Sequence, residues 1–161
     1  MSPTSDDERG VIRPDTDRLL LDVMLGKLAV YLRFCGYDTV YALDRGIEDD
    51  DRLATLAERE GRRLLTRDVE LAASVEGAVL LTAHEPDAQV AELREGGFDL
   101  EIDDAPSRCG RCNGELDPVP SEAETPDYAP DSASTDCWRC RSCGQIFWKG
   151  SHYDRIDETL S

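Results

Sequence analysis

The stretch RLLLDVMLGKLAVYLRFCGYDT, residues 18–39, decides the fold. Three leucines follow Arg18 without a polar interruption and read as a buried strand. The run stops on a carboxylate, Asp22. From Met24 to Cys35 the pattern changes: Leu25, Leu28, Ala29, Leu32 and Cys35 recur at helical spacing on one face. Gly36 follows as a helix stop. Strand, acid, helix is thus the unit written here.

The unit repeats downstream. YDTVYAL (37–43) is rich in β-formers. GIEDDDRLATLAEREG (46–61) opens with acids, places Leu53, Leu56 and Ala57 on one face and closes on Gly61. RRLLTRD (62–68) reads as a third strand and again ends on an acid. VELAASVEG (69–77) reads as a short helix, AVLLTA (78–83) as a fourth strand, and EPDAQVAELREGG (85–97) as a helix with Pro86 near its start. Alternation of this kind predicts an α/β domain over 18–105, with a parallel sheet covered by helices on both faces. FDLEIDDAPSR (98–108) reads as an edge strand and linker.

Sites in such sheets form at the carboxyl ends of the strands. Asp22 ends the first strand, Asp68 ends the third, and Asp49, Asp50 and Asp51 precede the helix after the second. All three places fall on one edge of the sheet. Two like charges about 4 Å apart repel by roughly 4 kcal/mol at an effective dielectric of 20. A cluster of three acids therefore calls for a cation, and hard oxygen ligands favour Mg²⁺ or Mn²⁺. Such ions activate water and clamp phosphates, the chemistry of phosphodiester hydrolysis. The ordinary alternative for Asp50, Asp51 and Asp68 is helix capping. Arg67 can pair with the acids, reach a phosphate or stay solvated, and Thr66 can orient a carboxylate or simply complete its strand. Lys27 and Arg33, on the first helix, are candidates for a phosphate backbone; the alternative is a solvated helix face.

The chain of 161 residues carries 35 acidic against 18 basic residues, a net charge of −17. Lys27 and Lys149 are its lysines. An acidic, lysine-poor surface suits very high salt, where the Debye length falls to about 3 Å at 1 M and self-repulsion costs little. A halophilic source is expected, so global charge does not argue against a nucleic-acid partner. No apolar run approaches the roughly 18 residues of a membrane span. MSPTSDDERGVIRPDTD (1–17) has no apolar signal core and reads as a disordered acidic tail. The expectation is a cytoplasmic protein without a membrane partner.

Five of the six cysteines lie in the last third. Cys109-Gly-Arg-Cys112 and Cys140-Arg-Ser-Cys143 form two knuckles, and four thiolates make a closed, structural zinc site. Cys137-Trp-Arg-Cys140 offers a second C-x-x-C, so Cys137 is an alternative ligand. Cys35 belongs to the helix's buried face. Residues 106–157 therefore read as a zinc ribbon interrupted by a Pro/Ser/acid loop, about 117–136. After the second knuckle, IFWKGSHYDR (146–155) interleaves aromatics with cations, which suits base stacking and phosphate contact. Lys149 and His152 are candidates there; a small domain's own core and docking face is the alternative.

Together, LLLDVMLGKLAVYLRFCGYDT, DDDRLATLAEREGRRLLTRDVELA, RCGRCNGEL and CRSCGQIFWKGSHYDRI resemble the Mut-seven C-terminal RNase domain family. The resemblance runs in order from about Leu19 to Ile156. It implies a PIN-like nuclease domain joined to a zinc ribbon, with RNA as substrate and Mg or Mn as catalytic metal. By motif, Asp22 matches the acid of D-x-M-L-G, Asp50 the acid leading the second helix, and Asp68 the acid of T-R-D; Asp51 is the alternative middle acid. Many relatives of this fold have a fourth acid after the fourth strand, where Asp87 is the nearest candidate. The four thiolates correspond to Cys109, Cys112, Cys140 and Cys143, with zinc. The resemblance also admits a homodimer and an association with the ribosome or RNA-processing machinery. The competing reading is a non-catalytic RNA- or ribosome-binding ribbon protein with a vestigial nuclease domain.

Overall fold

A computed structural model of the chain describes residues 12–14, 16–100 and 107–148. Four parallel strands form the main sheet: β1 (Arg18–Leu21), β2 (Thr39–Tyr41), β3 (Arg62–Thr66) and β4 (Val79–Leu80), in the order β2-β1-β3-β4. β1 is central because it pairs on both sides, Leu20 lying opposite Val40 and opposite Leu64. Successive side chains of a strand point to opposite faces, so both faces are built from these few residues. Leu19, Leu21 and Leu65 join one core with helices α1 (Gly26–Phe34) and α4 (Pro86–Glu95). Leu20 and Leu64 join the other with α2 (Asp50–Glu60) and α3 (Val69–Ser74). The leucine triplet is wholly buried, each side chain contributing about 1.5–3 kcal/mol. The sheet is therefore parallel and covered on both sides, as expected.

A 3₁₀ turn, Val23–Leu25, separates β1 from α1. Gly26 allows it to sit tightly: a Cβ there would come within 3.1 Å of the Tyr41 ring. The acidic tail ends earlier than Asp17. Ile12 makes a parallel bridge with Phe98, its N–H donating to Gly97 O (2.8 Å) and its carbonyl accepting from Asp99 N (2.8 Å). The Tyr37 hydroxyl, buried beneath, lies 2.7 Å from Ile12 O. The edge strand expected from Phe98 onward is reduced, among the described residues, to this bridge.

A second, antiparallel sheet contains β5 (Leu116–Pro118), β6 (Cys137–Cys140) and β7 (Ile146–Trp148), in that order. It docks on the edge of the first domain. Asn113 accepts from Thr39 N (2.8 Å), capping the edge strand β2, and donates to Asp38 (2.7 Å). Phe34 meets Phe147 edge-to-face at 5.6 Å. The acidic loop folds back on the ribbon: Ser132 donates to Ala123 O (2.9 Å), and the Tyr128 hydroxyl accepts from Ile146 N (3.1 Å). Among the described residues no helix is long and apolar enough to cross a membrane.

Candidate functional site

β1 delivers Asp22 to the carboxyl edge of the sheet, held by its N–H on Leu65 O (3.1 Å). The residue is 5 % exposed. Its Oδ2 accepts from the Thr66 hydroxyl (2.7 Å) and its Oδ1 from Val23 N (2.7 Å). Among the described residues no arginine or lysine pairs with it. Burying a carboxylate without a cation is costly, so this placement opposes stability unless a cation arrives.

Thr66 links two of the acids. While donating to Asp22, its Oγ1 accepts from Asp68 N (3.0 Å). Asp68 caps α3, its Oδ1 accepting from Glu70 N (2.9 Å) and Leu71 N (3.3 Å). Its second oxygen has no hydrogen bond among the described residues. Capping and facing the site are therefore compatible roles for one carboxylate.

The middle acid is separated from its neighbours by the cap itself. Asp49 caps α2, accepting from Asp51 N (3.0 Å). That leaves Asp50, one position later, exposed and without a hydrogen bond among the described residues. Partial desolvation, then the charges of Asp68 and Asp22, then those of Asp49 and Asp51, raise its pKa above the usual carboxylate range. Asp50 thus lies in the field of both strand-end acids. Among the described residues the ligand atoms that converge closely enough to hold a metal ion are those of the four cysteines; Asp22, Asp50 and Asp68 supply hard oxygen donors related by the Thr66 bridge and by their shared field.

Arg67 turns away from this cluster. Its Nη2 lies 2.9 Å from His84 Nε2 and its Nη1 3.9 Å from Met24 Sδ. Among the described residues it forms no ion pair with an acid of the edge. Beside it opens a cleft of about 360 Å³, lined among others by Val23, Met24, Lys27, Tyr41, His84 and Glu85. Lys27 therefore stands at the cleft. Asp87 does not line it, and accepts instead from its neighbour Ala88 N (3.0 Å). The sequence reading passed over His84. Its signal was positional: it follows the strand whose carboxyl end the fold requires at the same edge.

Arg33 is neither solvated nor placed for a phosphate. It is 3 % exposed, donating through Nε to Thr39 O (3.0 Å) and through Nη1 to Gly110 O (2.9 Å), with Asp44 at 3.7 Å. It clamps the first cysteine knuckle to α1 and β2. Lys149 and His152 lie outside the described residues.

Cys109, Cys112, Cys140 and Cys143 bring their sulfurs within 4.8 Å of one another. The Cys109–Cys143 and Cys112–Cys140 separations are 3.7 and 3.5 Å. A tetrahedral zinc with Zn–S bonds of about 2.3 Å requires edges of about 3.8 Å, so the cage fits that ion. Burial pushes the Cys109 thiol far up. At Cys140 burial is outweighed by the N–H groups of Cys143 and Ser142, which bring the thiol down to about 7. Cys137 stays outside the cage, its sulfur near Thr135 O (3.4 Å), so it does not replace a ligand.

The family model described as Mut7-C RNAse domain matches residues 17–160. No curated protein matches the chain.

Proposed function

Because the chain belongs to the Mut7-C RNase domain family, we propose that it is a metal-dependent ribonuclease whose site is the carboxyl edge of the main sheet. The observation that carries this is Asp22, a buried carboxylate with no cationic partner among the described residues, joined through Thr66 to Asp68 and within the field of Asp50. Asp22, Asp50 and Asp68 would hold Mg²⁺ or Mn²⁺. When bound, such an ion supplies a water nucleophile at neutral pH and neutralises charge on the phosphate and leaving oxygen. Thr66 fixes the Asp22 carboxylate, so that oxygen is presented without a rotamer search. Lys27, at the cleft, steadies an RNA phosphate. Zinc in the cysteine cage holds the ribbon and has no part in the chemistry.

The test is a cleavage assay on single-stranded RNA with added Mg²⁺ or Mn²⁺. Wild type is expected to cut, and Asp22→Asn to lose at least about a hundredfold in rate. Cleavage unaffected by Asp22→Asn, or none by wild type with either ion, overturns the proposal.

A further inference from the structure

The loop after β4 is held more firmly than a connection needs to be. Glu92, on α4, accepts from Thr82 N (3.0 Å), Thr82 Oγ1 (3.0 Å) and Ala83 N. Gln89, buried on the same helix, donates to Ala83 O (3.0 Å). Two side chains thus fix both polar directions of the backbone immediately before His84. His84 itself is exposed at the cleft.

Its contact with Arg67 has a direction. A guanidinium has only donors, so at 2.9 Å it is His84 Nε2 that accepts. Arg67 Nε is buried without a partner, so this guanidinium is incompletely satisfied. Resting on the ribonuclease reading, we infer that His84 and Arg67 form a phosphate subsite for single-stranded RNA, at the cleft that His84 and Lys27 both line. An entering phosphate replaces the His84 acceptor: Arg67 donates to a phosphate oxygen, and the His84 ring N–H donates to another. No covalent step is involved.

The experiment measures binding of a short single-stranded oligoribonucleotide to the Asp22→Asn full chain, without added Mg²⁺ or Mn²⁺. His84→Ala in that background is expected to bind about tenfold more weakly. Arg18→Gln, removing an exposed charge at the opposite end of the sheet, is expected to bind as its parent does. His84 is exposed, so its truncation leaves the core intact; thermal unfolding checks this. If His84→Ala matches its parent in affinity, the subsite is wrong. The nuclease reading then stands or falls separately, on whether Asp22→Asn abolishes cleavage.

Discussion

Replacing Arg33 with Met separates a structural clamp from a substrate contact. The methionine keeps most of the apolar stem but removes two hydrogen bonds from a charged donor, to Thr39 O and Gly110 O. Bonds of that kind contribute about 1.5–3 kcal/mol each, and the abandoned buried carbonyls would be left without partners. Against this, burial already disfavours the guanidinium: desolvation lowers the Arg33 pKa, only partly offset by Asp44. Relief of that desolvation returns part of the loss, so the net destabilisation is about 3 kcal/mol. For a chain of this length about 1 kcal/mol shifts Tm by roughly 2–4 °C, which puts the expected fall at about 6–12 °C. Thermal unfolding followed by circular dichroism, with zinc supplied, measures it. If Arg33→Met melts within about 2 °C of wild type while RNA binding weakens, the clamp argument is refuted and Arg33 returns to the substrate.

Two further substitutions probe the proposed Mg²⁺ or Mn²⁺ site and the cysteine cage. Asp50→Asn is expected to raise Tm at neutral pH without Mg²⁺ and to reduce the additional stabilisation that Mg²⁺ brings. The folded-state pKa of Asp50 is raised, so its contribution to stability is present below the ordinary carboxylate range and is lost as pH rises through its titration; the amide removes that loss. A lower Tm for Asp50→Asn in metal-free buffer would contradict the shared field of the acids. Gly114→Ala would place a Cβ 2.8 Å from Cys140 Sγ and 2.9 Å from Ser142 Oγ. Competition with a chelator should show zinc lost more readily from this variant, and unchanged retention would mean that the knuckle yields at little cost.

Much of the fold lies in local order. The triplet Leu19–Leu21, the helical spacing from Leu25 to Cys35 and the closing Gly61 each act on residues near them in the chain. The same holds for the cysteine knuckles, whose sulfurs converge through tight turns: Asn113 adopts a φ of 71° and Gly144 one of 78°. The placing of acids at strand ends was legible too, because a parallel sheet sends every carboxyl end to one edge. Legibility failed for side chains whose partners are distant. Arg33 reads as a helix-surface cation, yet its partner Gly110 lies 77 positions away. Ile12, within an acidic tail, is held by Gly97 and Asp99.

By itself the sequence determined the element order, the two apolar faces of the sheet, the cysteine pairs and the edge at which Asp22 and Asp68 end their strands, because periodicity and turn chemistry act between neighbours. Only the tertiary structure decided which acid caps α2, that Asp22 is buried without a cation among the described residues, where Arg67 points, and that His84 shares the cleft. Those outcomes depend on distances between elements joined by no local pattern, and electrostatic fields and hydrogen bonds depend on such distances alone.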